Sequence, residues 1–299
     1  MNSATNICEL SPVTSGTCWR DVFELVKPRM NLLVLGTTTV GFSIAAKTTE
    51  QWTRLPHVLV GTALCAASAA ILNQLLEKEY DGRMRRTAHR PLPTGRVSAR
   101  QALGLGMAAG ILGGLYLLLW VNRMTALLGT ATLASYVLIY TPLKRLTTLN
   151  TLVGAIPGAV PPMMGWTAVT GTLAPPALAL FGILFLWQIP HFLAIATLHR
   201  EDYWLGGFKM LPVGDPDLRR TGRQMVLYSA ALLPVSLMPA MMRVVGHAYT
   251  VSAVVLGVTF FAFALSCATR RSRQEARKLF LASIVYLPVL LAVMMMDQI

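Results

Sequence analysis

Apolar residues fall along this chain in long, nearly unbroken runs. They show neither the strict alternation of a half-buried strand nor the single apolar stripe of a helix at a water-facing surface. A helix crossing the hydrocarbon core of a bilayer needs about 20 mostly apolar residues, with a range of roughly 17–25. Nine runs qualify: 30–46, 57–77, 101–121, 124–141, 150–170, 174–198, 225–242, 248–268 and 279–296. The seventh is interrupted by Pro234 and Pro239, which leaves its ends open by several residues. The expected fold is all-α, a polytopic membrane protein of nine transmembrane helices. No cluster of Gly, Ser and Pro divides two folding units. Residues 26–299 therefore read as one transmembrane domain, preceded by a short cytoplasmic N-terminal segment over 1–25.

The segments between the runs carry charge that tests this count, because cytoplasmic loops collect Lys and Arg. With the N-terminus inside, the inner segments hold Arg20, Lys27 and Arg29, seven basic residues from Lys78 to Arg100, and Lys144 with Arg145. They also hold five from Arg200 to Arg223 and five from Arg270 to Lys278. Of the 26 basic residues, Lys47, Arg54, Arg123 and Arg243 alone fall outside. A wrong helix count would scramble this alternation. The expected arrangement is N-terminus cytoplasmic and C-terminus outside, in a bacterial cytoplasmic (inner) membrane.

Composition agrees with a membrane protein. The 299 residues are 54% hydrophobic and 13% charged, against about 25% charged in soluble domains, and the mean hydropathy is +0.55. A net charge of +13 would suit a nucleic-acid binder, but such a protein has no use for runs of bilayer length, and nucleic acid is excluded as a partner. Cys8, Cys18, Cys65 and Cys267 form no CxxC-type pair, so no zinc or redox motif is present. Residues 1–20 hold one acid, Glu9, apart from no signal-type apolar core and no transit-type composition. Prolines inside the runs, among them Pro157, Pro161, Pro162 and Pro190, read either as ordinary kinks or as formers of a cavity.

Only 13 acids are present, and seven lie in or beside two inner loops: Glu77, Glu79, Asp81, Glu201, Asp202, Asp215 and Asp217. Asn73, Glu77 and Asp81 follow one another at i, i+4 and i+8, on one helix face at the inner end of the second run. An ionisable group at membrane depth is costly and a functional candidate by default. The plain alternative pairs these acids with Lys78, Arg83 or Arg85 at the headgroup boundary. The sequence that follows, Arg83-Met-Arg-Arg-Thr-Ala-His-Arg90-Pro-Leu-Pro93, favours a site for metal and polyanion together. A diphosphate with Mg²⁺ on the acids and guanidinium groups on the phosphate oxygens would satisfy both. The sixth run repeats the idea with Gln188-Ile-Pro-His191, His199-Arg-Glu-Asp202-Tyr203 and Lys209-Met-Leu-Pro212. The two runs would end on the same side of the membrane and could clamp one ligand.

These motifs resemble the UbiA superfamily of intramembrane prenyltransferases. The likeness is carried by Leu25-Val-Lys-Pro-Arg29, by Asn73, Glu77 and Asp81, and by Met84, Arg86, Thr87 and Arg90-Pro-Leu-Pro93. Tyr140-Thr-Pro-Leu-Lys-Arg145 with Asn150 continues it. Trp187-Gln-Ile-Pro-His-Phe192, Asp202-Tyr203 and Met210-Leu-Pro212 are similar to the subgroup that farnesylates haem. Glu201, Gly206-Gly207 and Asp215-Pro216 depart from that pattern, and the second motif lacks the fuller Asp-rich form of quinone-pathway relatives.

The resemblance implies a helical bundle whose central cavity opens toward the cytoplasmic side. It implies transfer of farnesyl from farnesyl diphosphate to a vinyl group of haem b with addition of water. Mg²⁺ would sit on Asn73, Glu77, Asp81 and Asp202, the diphosphate on Arg83, Arg86, Arg90, Lys144 and Arg145, and haem near His191 and His199. A haem A synthase or terminal-oxidase assembly protein would be a possible partner. Lys27 and Arg29 read equally as interface anchors or substrate contacts. Tyr203 either orients Asp202 or marks the headgroup boundary. A prenyltransferase for 4-hydroxybenzoate or a similar acceptor is the nearest alternative. A secondary transporter is the alternative from another class, although its polar groups belong at the midplane rather than at one face.

Overall fold

The computed structural model describes residues 18–299. The expectations for residues 1–17, including Cys8 and the absence of a leader, lie outside the described residues. Helix α1 (Trp19–Val26) is amphipathic, with Asp21 and Leu25 buried and Trp19 and Phe23 exposed. Lys27, in the left-handed region at φ 51°, turns the chain into α2 (Pro28–Ala45), which Pro28 starts without loss of a needed donor. A 3₁₀ turn leads into α3 (Leu55–Leu76), followed by the single turn α4 (Lys78–Asp81). A basic loop then enters α5 (Ala99–Trp120) through a Ser98–Gln101 capping box.

The fourth run forms α6 (Arg123–Ala134), a π turn over Ser135–Tyr140 and α7 (Thr141–Leu146), so the helix passes its expected end at 141. Pro142 lacks the donor a regular turn would use, and the π turn accommodates this. The fifth run is bent at Val160 between α8 (Asn150–Ala159) and α9 (Pro161–Thr170). Helix α10 (Pro175–Leu198) precedes the short α11 (Arg200–Leu205). The seventh run begins earlier than expected and is unbroken, as α12 (Arg219–Met241). Helices α13 (His247–Arg270) and α14 (Arg273–Met296) complete the bundle.

Eight of these helical stretches are long and apolar enough to cross a membrane. The remaining expected span, α2, has 18 residues but begins with Arg29 and Asn31 and falls below that apolarity. Helix α2 packs along α9, and α3 along α5. The α2–α9 approach requires glycine: a Cβ on Gly41 or on Gly165 would stand 1.9 Å from the carbonyl oxygen of Pro162 or Thr38 respectively. Phe42, Val58, Leu117 and Met164 centre one core; Ile183, Leu193, Tyr249 and Phe260 centre the other. Trp166 and Phe181 touch both cores. Outward faces such as Ile111, Leu112, Leu115 and Leu119 of α5 are exposed, as a lipid-facing surface requires and a water-facing one does not tolerate.

The last residues are fixed at one pole of the bundle. Lys47 Nζ donates to the Ile299 carbonyl at 3.0 Å, and Gln298 Nε2 donates to Ser43 Oγ at 3.0 Å. Between that pole and Lys27 run the 18 residues of α2, about 27 Å at about 1.5 Å per residue.

Candidate functional site

The pole marked by Lys27 gathers the charged motifs. Helix α3 stops at Leu76 because Glu77 takes φ −97° and ψ 4°, yet the hydrogen bonds continue through the break. Glu77 N donates to Asn73 O at 3.0 Å and Asp81 N to Glu77 O at 2.8 Å. Asn73, Glu77 and Asp81 thus keep their successive-turn alignment, and all three are buried.

Each member of the triplet has a defined partner. Asn73 Nδ2 donates to Thr141 Oγ1 at 3.1 Å, and Thr141 Oγ1 donates to Tyr136 O, a carbonyl within the π turn. Lys27 Nζ stands 3.5 Å from Asn73 Oδ1. Burial, reinforced by the Arg90 and Lys144 charges, pushes the Lys27 ammonium down to about 7. Lys144 Nζ lies 2.7 Å from Glu77 Oε1, an ion pair between two largely buried groups. Arg90 Nη1 donates to Asp81 Oδ2 at 2.7 Å. Lys78, Arg83 and Arg85, the partners expected from sequence proximity, do not pair with these acids. The actual partners come from nine residues further on and from another span.

The remaining motifs converge on the same pole. Arg145 Cζ sits 4.1 Å from the Tyr80 ring centroid, and Arg83 Cζ 5.4 Å from it. Arg86 lies over the Tyr203 ring and reaches its hydroxyl at 3.4 Å. Met84, Ala196, Phe208 and Met210 form a small core with Tyr80 and Tyr203 packed on it. Lys209 N donates to Lys144 O at 2.8 Å, and Asn150 Nδ2 to Lys209 O at 2.9 Å. His199 interrupts α10 as Glu77 interrupts α3, and its Nδ1 is 3.9 Å from Asp202 Oδ2. Burial and the Arg86 charge lower the His199 pKa, against the opposing pull of Asp202.

Asp202 joins this pole but not the triplet. Among the described residues no three His, Cys, Asp or Glu side chains approach closely enough to form one metal cluster. The buried pair Glu77 and Asp81, with Asn73, supplies hard oxygen donors. Mg²⁺ commonly uses one or two carboxylates and completes its shell with water and substrate phosphate. The residues therefore fit an ion shared with a phosphate ligand, and do not form an all-protein cage.

His191 lies elsewhere. Its Nδ1 is 2.6 Å from Ser283 Oγ on α14, and its ring stacks on Trp187 at 4.8 Å between centroids. Trp187 Nε1 donates to Ser283 O, and Gln188 Nε2 to Ala155 O on α8. The Trp187–Phe192 run thus fastens α10 to α14 and α8, and His191 and His199 take different partners. Sequence reasoning gave no role to Thr141, at the start of α7, or to the Tyr136 carbonyl in the π turn, and left Lys27 undecided. Its signal was weak because a basic residue before a first span is ordinary.

A multi-pass helical bundle with buried carboxylates paired to cations at one pole defines a membrane-embedded enzyme with an ionic site. Residues 34–287 match the UbiA prenyltransferase family. The chain belongs to that family and is a prenyl-transferring enzyme of the membrane. It is 45% identical over 288 residues to the protoheme IX farnesyltransferase of Solibacter usitatus, covering 93% of this chain and 99% of that protein. The protein of the same name from Koribacter versatilis is 44% identical, covering 93% of each chain. Among solved structures, a digeranylgeranylglyceryl phosphate synthase superposes with a TM-score of 0.80 at 15% identity, covering 93% of this chain and 98% of that one. A UbiA homologue from Archaeoglobus fulgidus, bound to GPP and Mg²⁺, gives 0.62 at 16% identity, covering 92% and 99%. Both structures share the fold.

Proposed function

We propose that this protein transfers the farnesyl group of farnesyl diphosphate to a vinyl group of haem b, releasing diphosphate and giving haem O. The acceptor is supported by the 45% identity to a protoheme IX farnesyltransferase along nearly the whole of both chains. The observation that carries the diphosphate site is the pairing of both buried acids with cations drawn from the loop after α4 and from α7. Lys144 and Arg90 neutralise Glu77 and Asp81 respectively. With a metal–diphosphate complex bound, the two carboxylates would be donors for Mg²⁺, and Lys144 and Arg90 would be left to pair with phosphate oxygens.

Mg²⁺ supplies neutralising charge on the leaving diphosphate. Asn73, Glu77 and Asp81 would hold it, and Asp202 on α11 would be the donor from the second motif. Arg83, Arg86, Arg90, Lys144 and Arg145 stabilise the charge that gathers on the leaving oxygen as the C–O bond breaks with its electron pair. The allylic carbon then bonds to the terminal carbon of the vinyl group. Water adds to the resulting benzylic-type cation and gives up a proton, which completes the balance. The apolar bundle keeps water from the allylic carbon before this step. His191 and His199 are the proposed haem contacts, His191 deeper in the bundle by about two helical turns.

The basic pole faces the cytoplasm in this reading, with the N-terminus inside, the C-terminus outside and the bilayer the bacterial inner membrane. The sided distribution of Lys and Arg supports it. Extraction of haem from membranes with and without this chain, followed by mass spectrometry, tests the reaction. Gain of a hydroxyethylfarnesyl haem, lost on chelation and restored by Mg²⁺, is the expected result. A prenylated phenolic acid with unaltered haem would reject the acceptor, and no prenylated product at all would reject the enzyme.

A further inference from the structure

A cationic notch opens at the start of α12. A cavity of about 460 Å³ at the start of α12 is lined by Leu211, Arg220, Arg223, Gln224 and Leu227. Arg220 and Arg223 are exposed, and neither enters an ion pair among the described residues. The nearest buried acid on this loop, Asp215, does not compensate them. Its Oδ2 accepts from Thr221 N at 2.8 Å and from Thr221 Oγ1 at 2.9 Å, which fixes the first turn of α12. Two guanidinium groups, an amide and two leucines therefore share one notch with no charge of opposite sign inside it.

The position of the notch narrows its ligand. Arg223 and Leu227 are one turn apart, and Leu227 is half exposed on the outer surface of a membrane-crossing helix. A ligand here meets cations at the interface and hydrocarbon one turn deeper. We propose that this cavity binds the headgroup of an anionic phospholipid, with the phosphate on Arg220 and Arg223 and the first acyl methylenes on Leu227 and Leu211. The site also touches the catalytic pole. Leu211 is two residues from Lys209, whose backbone N donates to Lys144 O. A lipid seated here braces the segment that holds Lys144.

Binding can be read without turnover, so its outcome is independent of the acceptor. The full-length protein in detergent is titrated with phosphatidylglycerol or phosphatidylcholine, and its thermal midpoint and retained lipid are measured. Phosphatidylglycerol should raise the midpoint above the phosphatidylcholine value. R220Q/R223Q should match the wild type in phosphatidylcholine and bind phosphatidylglycerol at least roughly tenfold more weakly. R273Q/R277Q, on another basic loop, should bind it as the wild type does. Equal phosphatidylglycerol binding by R220Q/R223Q and the wild type would overturn the site. So would an equal stabilisation by inorganic phosphate, which would make it a free-anion site. Competitive displacement of the lipid by zinc protoporphyrin would assign the arginines to haem carboxylates instead.

Discussion

At the scale of single residues, the exchange of partners at the acid pair makes a separable prediction. Removing Lys144 leaves a buried Glu77 carboxylate without its countercharge, and breaking one side of a buried pair costs about 3–5 kcal/mol. Lys144→Met should lower stability accordingly. Adding Glu77→Gln in the double variant should restore most of it, since a neutral pair needs no countercharge. Activity should not return in the double variant, because both a metal donor and a phosphate partner are gone. Thermal unfolding in detergent and a farnesyl-transfer assay, run on the same four proteins, give the comparison. Recovery of activity with stability would mean that the pair is only structural. A second contrast concerns His191, whose Nδ1 contact with Ser283 offers a purely structural role. Ser283→Ala removes that contact and keeps the ring, so haem use should persist. His191→Ala should raise the apparent KM for haem severalfold with the diphosphate KM unchanged. Identical kinetics in the two variants would reduce His191 to packing.

Among the elements, α2 and α9 show how a span can be short of apolar residues and still be held. Their backbones meet at Gly41 and Gly165, where any Cβ would penetrate a carbonyl oxygen. A flexible neighbour could move aside, but a helical backbone cannot. Gly165→Ala should therefore cost more than the roughly 1–3 kcal/mol usual for overpacking. The readout is loss of folded protein in detergent-solubilised membranes. Gly104→Ala, at a position open to lipid, should instead leave the yield unchanged or raise it slightly. The two interrupted helices, α3 at Glu77 and α10 at His199, matter in another way. Each break ends a membrane helix while keeping the chain in register, so that Asp81 and Asp202 follow one turn later at the same pole.

For the whole molecule, the decisive feature is polarity. The ionic site, the basic loops and α1 occupy one end, and the contact of Lys47 with Ile299 closes the other. Single cysteines placed at Ala88, Thr147 and Arg273 in a cysteine-free background should react with an impermeant maleimide only from the cytoplasmic side. One at Gly171 should react only from outside. Two or more reversed positions would overturn the orientation. The exposed residues Trp19 and Phe23 of α1 fit a helix lying in the headgroup layer, from which Arg96 holds Asp21 and Glu24.

What the sequence determined by itself was whatever the bilayer imposes locally. Segment length, apolarity and the side preference of Lys and Arg are one-dimensional properties, so the helix positions and the candidate pole could be read directly. The i, i+4, i+8 spacing of Asn73, Glu77 and Asp81 was equally local, and backbone bonds carry it through an unforeseen break at Glu77. Pro234 and Pro239 read as interruptions, yet α12 runs unbroken through both and starts six residues before its apolar run, and the α6–α7 span continues past Pro142. Within a packed bundle, a missing donor is absorbed by neighbouring contacts or a π turn. Pairing across spans was decided only in three dimensions. Lys144 meets Glu77 across 67 residues of chain, and Arg90 outcompetes the nearer Arg83 and Arg85 for Asp81. Long, flexible cations reach whichever buried acid the helix packing presents to them, and that packing is set by contacts such as Gly41 on Pro162 rather than by proximity in sequence.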